Sequence, residues 1–152
     1  MSVKFEINGK QVEARVGASV LDAINASGTY VPQLCKDPDM KPIGACRTCL
    51  IEIEGTRGFP ASCSVPVSDG MQVWTDTPKV RSIRKGVLEL TQAMVGSNGL
   101  KASPEPSRRD HIELTIAAKH YDLDRPRWSI RERESVDTSN PVFNIAMADC
   151  IL

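Results

Sequence analysis

Residues 3–24 read VKFEINGKQVEARVGASVLDAI, from Val3 to Ile24, and this stretch decides the fold. Val3, Phe5 and Ile7 alternate with Lys4 and Glu6, the two-residue period of a half-buried strand. Asn8-Gly9 follows, and both residue types accept the positive φ that a two-residue hairpin turn needs. Gln11 to Val16 returns as a second strand, with Val12, Ala14 and Val16 on one face. Ser19 is placed to cap a helix whose Val20, Leu21, Ala23 and Ile24 form an apolar stripe, and Gly28 ends it. The opening of the chain therefore predicts a hairpin, then a helix.

Working outward, residues 29–48 show no steady period and contain Pro32, Pro38, Pro42 and Gly44, so they predict an irregular loop. Leu50 to Glu54 alternates again as a strand, Gly55 to Gly58 turns, and Phe59 to Ser64 is placed to run back beside it. Met71 to Trp74 makes a further short strand after Asp69-Gly70. Two strands, a helix, then more strands predict an α+β fold, a small mixed β-grasp-like sheet with the helix packed across it. Beyond Trp74 the period lengthens. Val80, Ile83, Val87, Leu90 and Met94 recur three and four apart, which predicts an amphipathic helix stopped at Gly96 or Gly99. A shorter helix is expected over 107–120, with Ile112, Ile116 and Lys119 on one face. Lys101 to Thr138 holds 16 charged residues in 38, so its later part, from Asp122, reads as a polar connector. Val142 to Ile145 is a candidate strand after the Asn140-Pro141 break. The expected organisation is a β-grasp domain over 1–77, a helical extension over 78–121 and a connector over 122–152.

Composition removes several function classes. Lys+Arg and Asp+Glu are both 19, so no bulk charge draws the chain to nucleic acid or an anionic membrane. No apolar run approaches the roughly 20 residues of a membrane span. The chain opens straight into its first strand without a basic and then apolar leader, which makes the cytoplasm the expected compartment.

The chemistry lies in the cysteines. Cys35, Cys46, Cys49 and Cys63 form C-x10-C-x2-C-x13-C, while the fifth, Cys150, stands apart. Disulfides are disfavoured in a reducing compartment, and clustered thiolates are soft donors for zinc or iron–sulfur centres. Structural zinc sites usually draw on two close cysteine pairs. Here one close pair is flanked by two lone cysteines, the order found in plant-type [2Fe–2S] sites, with a first gap of ten residues instead of four. Gly44 and Ala45 are small enough to let backbone N–H groups close on cluster sulfurs, and Arg47 and Thr48 offer a charge and a hydroxyl.

Val31-Pro32-Gln33-Leu34-Cys35, Gly44-Ala45-Cys46-Arg47-Thr48-Cys49-Leu50 and Pro60-Ala61-Ser62-Cys63 carry a family resemblance. With them, residues 1–77 resemble the N-terminal [2Fe–2S] domain of an electron-transfer group. That group comprises the large iron–sulfur subunit of respiratory complex I, iron-only hydrogenases, the diaphorase subunit of bidirectional hydrogenases and the catalytic subunit of NAD-dependent formate dehydrogenases, the last being the nearest in kind. The resemblance implies a [2Fe–2S] cofactor on Cys35, Cys46, Cys49 and Cys63, and one-electron transfer with no catalytic acid, base or nucleophile. It implies as partners a flavin/NAD-binding diaphorase subunit and the rest of the parent polypeptide. Two departures stand out. Relatives carry a His-plus-three-Cys segment for a [4Fe–4S] cluster after the first domain, whereas residues 97–125 contain His111 and His120 but no cysteine. Asp149-Cys150-Ile151-Leu152 resembles the start of a bacterial-ferredoxin run, so the chain is expected to be the N-terminal piece of a longer polypeptide, with Cys150 an orphaned ligand or an inert thiol rather than a nucleophile.

Three rivals are weighed against that reading. A zinc-stabilised docking module without redox activity would use the same thiolates. Buried inert thiols would need no ligand at all. A thiol–disulfide oxidoreductase would use Cys46-x-x-Cys49, but such pairs open a helix after a strand, and this one precedes a strand. His111 and His120 read as solvated helix-surface residues.

Overall fold

A computed structural model describes residues 1–37, 39–99, 113–129 and 136–146. It divides into two compact units, Met1–Arg84 and Lys85–Leu152.

In the first unit, β1 (Ser2–Ile7) and β2 (Lys10–Arg15) form the expected antiparallel hairpin, in register from Ser2 opposite Arg15 to Ile7 opposite Lys10. Asn8 and Gly9 both take positive φ, 52° and 76°, the mirror-image turn that matches strand twist. Asn8 also reaches across the sheet: its side-chain amide donates to Thr75 Oγ1 at 2.8 Å and its Oδ1 accepts from the Thr75 N–H at 2.8 Å. α1 (Val20–Ala26) starts with a complete capping box, in which the Ser19 hydroxyl accepts from the Asp22 N–H and the Asp22 carboxylate accepts from the Ser19 N–H. β3 (Glu52–Ile53) and β4 (Gln72–Trp74) complete a four-stranded sheet of order β2-β1-β4-β3. β4 lies parallel to β1 and antiparallel to β3, so the sheet is mixed, as expected.

The core forms where the two apolar faces meet. Phe5 and Ile7 of β1, Val20, Leu21 and Ile24 of α1, and Val31, Leu50, Ile51 and Val73 are all buried. The segment expected to run back beside β3 differs: only Leu50 and Ala61 bridge, and the chain then closes into a 3-10 turn over Ser62–Ser64. Pro60 explains the short ladder, since it has no N–H to extend it.

α2 (Pro78–Gly99) starts where Thr77 Oγ1 accepts from the Val80 N–H at 3.2 Å. Its buried track differs from the apolar stripe read in the sequence. Val80, Arg84, Leu88 and Gln92 are buried, whereas Ile83, Leu90 and Met94 are 38%, 47% and 39% exposed. The reason is that both polar members of the track bring their own partners: Arg84 bonds the Leu50 carbonyl, and Gln92 Nε2 donates to the Leu123 carbonyl at 3.2 Å.

In the second unit, α3 (Glu113–His120) buries Leu114 and Ala117, and Tyr121 and Leu123 follow into the interior. The earlier part of the expected 107–120 helix, with His111 and Ile112, lies outside the described residues, as does Cys150. His120 is exposed, with its ring edge-on to Tyr121 at 5.1 Å. Glu89 pairs with Arg127 at 2.7 Å, and that guanidinium also covers the Trp128 ring. The candidate strand over 142–145 is displaced: β6 (Ile145–Ala146) pairs with β5 (Val136–Asp137).

Candidate metal centre

The four clustered cysteines are brought together from three places in the first unit, and all are free thiols. Cys35 and Cys46 lie in the irregular loop between α1 and β3. Cys49 stands just before the β3 edge, and Cys63 sits in the 3-10 turn. The Leu50–Ala61 bridge places Cys49 opposite Ser62, whose N–H and hydroxyl both donate to the Cys49 carbonyl, at 3.0 and 2.8 Å. The far side of the turn is pinned to the start of α1: Val20 N–H donates to the Val65 carbonyl at 2.8 Å, and Val67 N–H to the Ala18 carbonyl at 2.9 Å. Cys63 is therefore fixed between the edge of the sheet and the cap of a helix.

Two left-handed residues shape the outer loop. Gly44 has φ +67°, which favours glycine, and a Cβ there would stand 2.9 Å from Ser64 Oγ, so the loop lies close against the turn. Arg47, between the paired cysteines, has φ +55°. A non-glycine residue in this region carries strain of roughly 1–3 kcal/mol, the kind that collects at functional sites. The reversal turns Thr48 back on Cys46, with Oγ1 3.1 Å from the sulfur. Thr48 is fully buried; its oxygen also accepts from the Leu34 N–H and lies 3.3 Å from the Pro32 carbonyl, tying the loop ahead of Cys35 to the pair.

The thiols act on one another in two pairs, Cys35 with Cys46 and Cys49 with Cys63, each near enough to alter its partner's acidity. Cys35 also feels the charge of Cys63, so the pairs adjoin. Their acidities diverge. Burial raises Cys49 to about 11, helped by the neighbouring Cys63 charge. Burial, and then the Cys46 and Cys63 sulfurs, raise Cys35. At Cys46 burial works the same way, but the hydroxyl and N–H of Thr48 and donation from Cys35 outweigh it, and the thiol is lowered. Crowded neutral thiols of this kind become thiolates most readily when positive charge is inserted among them.

Four free thiols are soft sulfur donors, the ligand type that iron–sulfur clusters take. Sequence reading missed Ser62, Ser64 and Arg84. Ser64 Oγ approaches Cys63 Sγ at 3.5 Å, and Ser62 and Arg84 hold the carbonyls of Cys49 and Leu50. Ser62 and Ser64 flank Cys63 and were open to notice, whereas nothing in the sequence places Arg84 beside Leu50.

Fold and site together define an iron–sulfur protein of the ferredoxin-like kind. Residues 1–78 match the family described as "2Fe-2S iron-sulfur cluster binding domain", and the chain belongs to that family, with a [2Fe–2S] cluster as its cofactor. One subunit of the NADH-quinone oxidoreductase of Rickettsia felis is 40% identical over 150 residues, covering 98% of this chain and 22% of that protein. The 75 kDa subunit of the NADH-ubiquinone oxidoreductase of Reclinomonas americana is 32% identical, over 98% of this chain and 21% of that protein. The structure of an NAD+-reducing [NiFe]-hydrogenase in the H2-reduced state superposes with a TM-score of 0.81 at 27% identity, over 100% of this chain and 63% of that one. The chain thus spans about a fifth of the length of these curated relatives. Among the described residues no helix is long and apolar enough to cross a membrane.

Proposed function

We propose that this chain is a one-electron relay module of an NAD-linked redox complex, with Cys35, Cys46, Cys49 and Cys63 as the cluster ligands. The observation that supports this most is that the four free cysteines all lie in the first unit, with the Leu50–Ala61 bridge setting Cys49 beside the turn that carries Cys63. The cluster supplies reversible uptake of a single electron. The chain's own groups do the rest. Cys35 and Cys46 are half-buried, on the more open side of the centre, while Cys49 and Cys63 are buried against the core. The Thr48 and Ser64 oxygens lie 3.1 and 3.5 Å from the Cys46 and Cys63 sulfurs, and a hydroxyl that donates to a cluster sulfur would stabilise added negative charge and raise the potential. No acid, base or nucleophile takes part.

The relatives named above favour a complex-I-like dehydrogenase or an NAD-reducing hydrogenase as the parent, and a diaphorase-type flavin/NAD subunit as the partner. The sequence resemblance also offers NAD-dependent formate dehydrogenase. Turnover of the native complex separates the three: NADH with a quinone, NAD+ with H2, or NAD+ with formate. The ligand set is tested by single Cys→Ala substitutions at 35, 46, 49 and 63. Each is expected to lose most of its iron and labile sulfide, while a variant that keeps both in full would remove that cysteine from the set.

A further inference from the structure

Arg47 stands between Cys46 and Cys49, the close pair of the proposed ligand set, and is exposed. It holds φ +55°, a conformation that residues with side chains seldom adopt and that collects at functional sites. Ala45 is also exposed, and Met40 and Ile43 of the same loop are 66% and 76% exposed. Lys36 pairs with Asp22 at 3.1 Å, and the Asp37 carboxylate accepts from the Asp39 N–H at 2.8 Å. Among the described residues the Arg47 guanidinium has no hydrogen bond or ion pair, and neither Asp37 nor Asp39 reaches it. A guanidinium is a rigid fork of donors that fits a carboxylate two bonds at a time. Arginine among exposed apolar side chains is also the composition of a contact surface. Electrons are exchanged through the open side of the centre, where Cys46 is half-buried.

We infer that Arg47 is the docking cation of this electron port, and that it receives a carboxylate from an acidic surface of the redox partner. This rests on the relay reading proposed above. The charge works at the encounter: in water at about 5 Å, one unit charge weights the approach of a singly charged anion roughly fourfold. Salt screens that advantage over about 10 Å at 0.1 M. The guanidinium takes no part in the transfer itself, in which the reduced centre gives up one electron and the partner gains it.

The test follows oxidation of the reduced full chain, freed of excess reductant, by stopped flow at low ionic strength. One probe is the ferric–EDTA anion, a carboxylate-bearing one-electron acceptor, and the other is the hexaamminecobalt(III) cation. Iron, labile sulfide and midpoint potential are measured first. Arg47→Gly removes the charge and suits the positive φ, so it should keep the cluster. Its rate with the anion should fall about fourfold and its rate with the cation should rise, and both changes should fade in about 1 M salt. Arg47→Lys keeps the charge and should recover most of the anion rate. Lys10→Gln removes another exposed cation, on β2, at the opposite edge of the sheet from β3 and about 14 Å across it, and should leave both rates unchanged. Unmoved rates in Arg47→Gly overturn the inference. So do equal changes in Lys10→Gln, or two rates that shift in the same direction, as a changed potential alone would produce. In the native complex, Arg47→Gly should slow electron exchange with the partner subunit by at least the same factor, and an unchanged rate there overturns the docking role. If the Gly variant loses the cluster, the Lys variant decides: an anion rate near the wild-type value supports the inference, and a fourfold fall refutes it. Loss of the cluster from both also overturns it, since Arg47 would then serve the fold. Absence of iron and sulfide from the wild-type chain would instead bring down the cluster reading itself.

Discussion

Substituting Gly44 with alanine tests how the cysteine loop is held against the turn that carries Cys63. Gly44 has φ +67°, where an alanine costs roughly 1–2 kcal/mol. Its new Cβ would also stand 2.9 Å from Ser64 Oγ. That oxygen ends a rotatable side chain, so it swings away and forfeits its 3.5 Å approach to Cys63 Sγ. A modest hydrogen bond of this kind contributes roughly 0.5–1.5 kcal/mol. Gly44→Ala should therefore destabilise the first unit by about 2–3 kcal/mol, which at roughly 4–8 °C per kcal/mol lowers Tm by some 10–20 °C. The assay is anaerobic thermal unfolding followed by circular dichroism at one scan rate, in a cycle with Ser64→Ala. With Ser64 shortened, only the backbone part remains, so the second Gly44→Ala step should cost about 1–2 kcal/mol. An unchanged Tm in Gly44→Ala would refute the reasoning. So would an equal cost with and without the Ser64 hydroxyl, because the clash would then play no part.

Two further outcomes are expected. Thr48→Val replaces a fully buried hydroxyl by a methyl, leaving the Leu34 N–H without its acceptor and the Cys46 sulfur without its hydroxyl neighbour. It should lose about 1–3 kcal/mol of stability and lower the midpoint potential, while Thr48→Ser should keep the potential; redox titration and thermal unfolding check both. Ser19→Ala breaks the capping box of α1 but leaves the backbone bonds that pin the Cys63 turn, so it should cost about 1 kcal/mol in unfolding experiments and leave the visible spectrum unchanged.

Much of the fold was legible because its signals are local. Asn8-Gly9 specified its turn, Ser19 its cap, and the alternation of Val3, Phe5 and Ile7 its strand without help from distant contacts. The four cysteines stood out by residue type and spacing, which is what made them the candidate ligands. What escaped was set by tertiary contacts. The return strand after Gly58 shrank to one bridge because Pro60 cannot donate and Ser62 turns to hold the Cys49 carbonyl. The buried face of α2 was misread because hydrophobic periodicity counts Arg84 and Gln92 as solvent-facing, and only the fold shows the carbonyls they meet. Thr48 was legible as a possible donor, but its contact with Cys46 depends on the positive φ of Arg47, which the sequence did not announce.

The most direct test is a count. Protein purified without air should contain two irons and two acid-labile sulfides per chain, show a red-brown spectrum that dithionite bleaches, and give one rhombic EPR spin per chain on reduction. Colourless protein holding one zinc per chain and no sulfide would contradict the account.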